Sequence, residues 1–177
     1  YEAYINGKKV GDYVLAPAQT EFPKRVAYNT FDVTSLIGTG KNAIGCILGN
    51  GRWVNLRNKP DFAEVDKVVK FPKLIAQLEV QFADGSKQIV ASDNTWKLTA
   101  EGAIRTNNEF DGEYYDATKE MKAWANVGFN DLKWQNAELV SKPIGKLVAQ
   151  MNEPIKVMET INPIAISKNS DSTYVMD

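Results

Sequence analysis

The densest group of side-chain oxygens in this sequence is Thr106-Asn107-Asn108-Glu109-Phe110-Asp111-Gly112-Glu113. Amide and carboxylate oxygens are what a hard cation such as calcium selects, and amides also donate to and accept from sugar hydroxyls. The spacing approaches an EF-hand loop, with Asn107, Glu109 and Asp111 at alternate positions and Gly112 at the turn. The twelfth position is Thr118, where that loop needs a bidentate Glu, and no flanking helices are predicted, so the EF-hand is rejected. Two readings stay open. Either the loop forms an irregular calcium or sugar-hydroxyl site on a β-sandwich, or it is a solvated turn around Asp111-Gly112.

A second constellation, Gly49-Asn50-Gly51-Arg52-Trp53, follows an apolar strand. Its glycines let the backbone approach a ligand, and an exposed Trp53 would offer a flat face that stacks on a sugar ring. Trp53 fits equally well as a core residue closing one end of a sandwich. Tyr114, Tyr115 and Asp116 come next after the oxygen-rich loop, and strand alternation sends the two tyrosines to opposite faces. Trp96, Trp124 and Trp134 sit in packing contexts.

Composition removes other chemistries. The 177 residues contain no histidine, which excludes Ser-His-Asp and Cys-His mechanisms and every His-ligated zinc or iron site. Cys46 is alone within Ala43-Ile44-Gly45-Cys46-Ile47-Leu48, so it reads as a buried, inert thiol with no intramolecular disulfide. Lys+Arg 21 against Asp+Glu 22 leaves no excess positive charge to attract a phosphate backbone, so nucleic acid is not an expected partner. No apolar run approaches the roughly 20 residues of a bilayer-crossing helix, so no membrane insertion is expected. A glycosidase needs two placed carboxylates, and 22 acids do not select a pair.

Short strands must position these groups. Residues 1–5 alternate like a strand, Asn6-Gly7 marks a two-residue hairpin, and 10–15 would return. Further strands are expected at 25–31, 43–48, 73–82, 87–91, 95–99 and 134–140, with Asp84-Gly85 turning a second hairpin. Residues 32–37 allow about one helical turn, capped by Asp32 and stopped at Gly38, and 119–124 allow a turn or two. Many short strands between Gly, Asn, Asp and Pro predict an all-β sandwich of jelly-roll type. The long connections 16–24, 49–72 and 100–114 are where a site is expected. After residue 141, Pro-punctuated apolar pieces at 146–150, 155–160 and 173–176 read as the first strands of a following β domain. The expected division is therefore 1–141 and 142–177. The chain has neither an initiator Met nor a signal peptide and reads as part of a longer polypeptide.

Several motifs in order carry a family resemblance. They are Tyr4-Ile5-Asn6-Gly7-Lys8, Leu15-Ala16-Pro17 with Thr20, Arg25-Val26-Ala27-Tyr28, Phe31-Asp32-Val33-Thr34 and Gly40-Lys41-Asn42. Gly49-Asn50-Gly51, Phe110-Asp111-Gly112-Glu113, Tyr115-Asp116-Ala117, Gly128-Phe129 with Asp131 and Trp134, and Tyr174-Val175-Met176-Asp177 continue the set. Together they resemble the N-terminal accessory region of bacterial α-L-rhamnosidases. The resemblance implies a galactose-binding-like jelly roll, then another β-sandwich, then an (α/α)6 barrel that cleaves terminal α-L-rhamnose and holds the catalytic acids. It implies a non-catalytic module here and a periplasmic or extracellular setting. Some members use this jelly roll to bind rhamnose with calcium. By resemblance, Asn107, Asn108, Asp111 and Glu113, with Trp53 and Tyr115, would contact an L-rhamnose-containing glycan. Asn107, Asn108 and Asp111 would hold the calcium. The alternative implied is a structural scaffold that binds no sugar and docks the remaining domains, with Glu113 and Tyr115 as interdomain contacts.

Overall fold

A computed structural model describes residues 1–52, 71–108, 110–169 and 173–177. Trp53, most of the 49–72 connection and Glu109 lie outside the described residues. The chain is an all-β sandwich, as its strand and turn spacing predicts, with no α-helix among the described residues. Strands β1 (Glu2–Ile5), β2 (Lys8–Lys9) and β4 (Ile44–Ile47) form a three-stranded sheet with β1 in the middle, and β3 (Arg25–Tyr28) lies between them in sequence. Asn6 and Gly7 have φ of 51° and 77°, the two positive values that a two-residue turn matching strand twist requires. Asn6 also braces its surroundings. Its Nδ2 donates to the Leu36 carbonyl at 2.9 Å and to Asn42 Oδ1 at 2.7 Å, while its Oδ1 accepts from the Ala43 N–H at 2.9 Å.

The second predicted hairpin also forms, from β5 (Gln77–Gln81) and β6 (Lys87–Ala91). Asp84 Oδ1 accepts from both the backbone N–H and the hydroxyl of Ser86, which closes the turn locally. Strand β7 (Lys97–Leu98) pairs with β10 (Gln135–Asn136), so the Trp96 and Trp134 regions meet.

The most buried apolar residues are Ile5, Val10, Ala27 and Ala125. Around them, aromatic rings meet edge to face: Tyr4 with Trp124 at 5.4 Å, Tyr13 with Phe31 at 5.0 Å and Phe129 with Trp134 at 5.6 Å. Cys46 lies partly buried beside this cluster, and burial pushes its thiol up to about 11, away from reactive thiolate.

Several expected elements differ. The strand returning from the first hairpin is only Lys8–Lys9, because Gly11 at φ 69° and Leu15 at φ 53° bend the chain out of pairing. The connection 100–114 is mostly a hairpin, β8 (Ile104–Asn108) with β9 (Gly112–Tyr115), whose polar side chains hid its strand character. The short helical turn is a 3-10 turn at Thr34–Leu36, and Val33 occupies its cap position. Asp32 nevertheless accepts from the Thr34 N–H at 2.9 Å. The helical turn expected over 119–124 does not form there: a 3-10 turn capped by Asp116 spans Ala117–Lys119 and shares only Lys119 with it.

Beyond residue 141, β11 (Lys146–Ala149) runs parallel to β3 in register from Lys146↔Arg25 to Ala149↔Tyr28. Among the described residues, 155–160 form no strand; they meet the body at the Tyr13↔Lys156 bridge, the Val14 N–H to Ile155 carbonyl bond and the Lys156–Asp12 ion pair. Strand β12 (Ile166–Lys168), which the sequence did not reveal, pairs with β13 (Tyr174–Met176).

Candidate functional site

The oxygen-rich segment is carried on the β8–β9 hairpin, where Asn107 stands opposite Glu113 and Asn108 opposite Gly112. Asn108 builds the turn. Its Oδ1 accepts from the N–H groups of Phe110 and Asp111, both at 2.8 Å, and its Nδ2 donates to Asp111 Oδ2 at 3.0 Å. Gly112, at φ 75°, lets the chain leave that turn and enter β9.

Asn107 points the other way. Its Oδ1 accepts from the Asn50 N–H at 2.8 Å, and a Cβ at Gly49 would sit 2.8 Å from its Nδ2, so a side chain at 49 would have to displace the Asn107 amide. The two constellations that the sequence kept separate therefore meet, Asn50 against Asn107 of the β8–β9 hairpin. Trp53 lies outside the described residues and is not placed relative to this junction.

Tyr115 donates its hydroxyl to Glu120 Oε1, and that hydrogen bond beside a carboxylate raises the phenol above its ordinary value. The ring remains exposed, as does Tyr114. Asp111 and Glu113 are exposed on the hairpin. Among the described residues there is no group of three or more His, Cys, Asp or Glu side chains able to hold a metal ion. A calcium ion bound here would have to draw on amide oxygens as well as carboxylates, and the Oδ1 atoms of Asn107 and Asn108 already serve backbone donors.

A second feature was not readable from sequence: a shallow cleft of about 590 Å³ along the β3–β11 seam, lined by Thr20, Glu21, Arg25, Val148, Gln150 and Asn152 among others. Gln150 organises its rim. Its Oε1 accepts from the Ala18 N–H at 2.8 Å and Asn29 Nδ2 at 2.9 Å, and its Nε2 donates to the Asn152 carbonyl at 3.1 Å. The apolar piece at 146–150 was visible, but its parallel partner lies far earlier in the chain, and no local signal names it.

Fold and junction together define an all-β sandwich domain whose polar hairpin is tied to the Gly49-Asn50 turn. Residues 1–159 match the family model described as the α-L-rhamnosidase N-terminal domain, and the chain belongs to that family. An α-L-rhamnosidase of Formosa agariphila is 33% identical over 180 residues, covering 100% of this chain and 19% of that protein. One from Streptomyces avermitilis is also 33% identical, covering 100% of this chain and 17% of its own length. Among solved structures, α-L-rhamnosidase from Dictyoglumus thermophilum superposes with a TM-score of 0.83 at 44% identity, covering 99% of this chain and 19% of that one. That from Aspergillus terreus gives 0.80 at 32% identity, with 99% and 20% covered. The S. avermitilis structure, complexed with L-rhamnose, gives 0.76 at 31%, with 99% and 17% covered. The chain thus spans about a fifth of the length of the relatives it matches.

Proposed function

We propose that this chain is a non-catalytic accessory domain of a longer α-L-rhamnosidase, one that hydrolyses terminal α-L-rhamnose with acids located elsewhere in the polypeptide. The supporting observation is how its most oxygen-rich segment is used. Asn107 ties the hairpin to the Asn50 turn and Asn108 holds its own turn closed, so these amides brace the domain. We divide the chain into a jelly-roll body at 1–141 and the opening of a second β unit at 142–177, stitched to the body by the β3–β11 pair. The partners in this reading are the remaining domains of the parent polypeptide.

A second reading, recognition of an L-rhamnose-containing glycan, is favoured by the meeting of Gly49-Asn50 with the hairpin. In that reading Asp111, Glu113 and the exposed face of Tyr115 contact sugar, with Asn107, Asn108 and Asp111 around a calcium ion. Titration calorimetry of the 177-residue chain with L-rhamnose, first with calcium and then with a chelator, separates the two. The bracing reading expects no heat at millimolar sugar in either condition. Calcium-dependent binding that Asp111→Ala abolishes would replace it with the recognition reading. Turnover of an aryl α-L-rhamnoside by this chain alone would overturn both.

A further inference from the structure

Asn is followed by Gly at Asn6-Gly7 and at Asn50-Gly51. Such a pair carries a reaction of its own, because the glycine nitrogen can reach the asparagine side-chain carbonyl carbon and no Cβ on the glycine obstructs the approach. The fold treats the two pairs differently. Asn6 is clamped: its Nδ2 donates to the Leu36 carbonyl at 2.9 Å and to Asn42 Oδ1 at 2.7 Å, and its Oδ1 accepts from the Ala43 N–H at 2.9 Å. The Gly7 N–H, which would supply the nucleophile, is committed to the Ala125 carbonyl at 3.0 Å. At the second pair, neither the Asn50 side chain nor the Gly51 N–H bonds to any described residue. Gly51 is exposed at φ 50°, and the space where a Cβ would stand is open. The Asn50 main-chain N–H is held by Asn107 Oδ1 at 2.8 Å, which anchors the residue without engaging its side-chain amide.

We propose that Asn50 is a site of spontaneous deamidation in the folded protein, from which the clamp on Asn6 protects the other pair. The Gly51 nitrogen attacks Asn50 Cγ. A new C–N bond forms as the Cγ–Nδ2 bond breaks, and ammonia leaves with the proton given up by the Gly51 nitrogen. Solvent water then opens the succinimide ring, so one water is consumed, one ammonia is released and nothing is oxidised or reduced. Opening between Cγ and nitrogen leaves Asp at position 50. Opening at the main-chain carbonyl leaves isoaspartate, whose main chain runs through Cγ and is one carbon longer. Either product places a new carboxylate where the Asn50 turn meets Asn107, beside the hairpin that carries Asp111 and Glu113.

Peptide mapping of the gene-length polypeptide held at mildly alkaline pH tests this, reading the mass gain and the isoaspartate at each Asn-Gly pair. Asn50 should convert at least about tenfold faster than Asn6, because every hydrogen bond that must open first lowers the reactive population. In denaturant the two pairs should convert at similar rates. Asn42→Ala, which removes part of the Asn6 clamp, should speed conversion at Asn6 and leave Asn50 unchanged, and Asn50→Gln should suppress the mass gain at position 50. Equal rates in the folded polypeptide, or faster conversion at Asn6, overturn the proposal. An Asn50 preference that persists undiminished in denaturant overturns it as well, since the difference would then come from the flanking sequence and not from the fold.

Discussion

At the scale of single residues, the most informative side chains are amides whose roles are set by a few hydrogen bonds. Asn108 was selected from sequence as a ligand for calcium or sugar because of its oxygen, and in the fold that oxygen accepts two backbone N–H groups of its own turn. Asn108→Ala leaves both donors to water on an exposed turn, a loss of about 1 kcal/mol. A thermal melt should fall by about 2–4 °C, the shift such a loss produces in a domain of this size. No change would mean that the turn holds without the amide. Residue types at 106–113 were enough to find a polar cluster. Which partner each oxygen takes was hidden, because an amide that could meet a sugar hydroxyl can equally meet a backbone N–H.

At the scale of elements, hairpins with local chemistry were legible and pairings between distant segments were not. Asn6-Gly7 and Asp84-Gly85 announce their turns, since positive φ at the turn and a carboxylate beside it are written in adjacent residues. The β8–β9 hairpin was missed because its alternation carries Thr, Arg and Asn in place of apolar residues. The β3–β11 pair depends on a close backbone crossing. A Cβ at Gly145 would collide with the Phe22 carbonyl oxygen and lie 2.8 Å from the Arg25 nitrogen and 3.0 Å from the Lys24 carbonyl carbon. All three are main-chain atoms that no rotamer change can move aside. Gly145→Ala should therefore push β11 from β3 and cost about 1–3 kcal/mol, the range seen for overpacking. The Lys146 amide, which donates to the Lys24 carbonyl at 2.9 Å, should lose its exchange protection in the variant. An unshifted melt with that amide still protected would show that the crossing tolerates a side chain.

At the scale of the whole molecule, exposed surface is the governing quantity. Large apolar side chains such as Leu132, Ile144, Met158 and Ile164 are among those exposed, which suits a domain that shares surfaces with neighbours in a longer protein. Its response to acid follows from carboxylates spread along the chain. Hydrogen bonds from Thr34, Ser86, Thr95 and Thr118 hold Asp32, Asp84, Asp93 and Asp116 below the ordinary aspartate value. At Glu2, burial alone would raise the carboxyl, but hydrogen bonds from Lys9 and Tyr4 outweigh it and the net shift is downward. A carboxyl lowered by folding stabilises the native state above its unfolded value, and that contribution disappears as pH falls through the lower folded value. The melting temperature should therefore stay level above about pH 5 and decline as pH drops below 3.8, the unshifted aspartate value. A melt that keeps its midpoint through that window would show that these turns contribute nothing to stability. The sequence by itself determined the class of fold, the two local hairpins, the exclusion of histidine chemistry and the family resemblance, because each is written in neighbouring residues or in composition. Only the tertiary structure decided that Asn107 meets Asn50, that β11 runs beside β3 and that Lys156 bridges to Tyr13. The physical reason is that a side-chain oxygen or a strand edge takes whichever complementary group the rest of the chain brings to it.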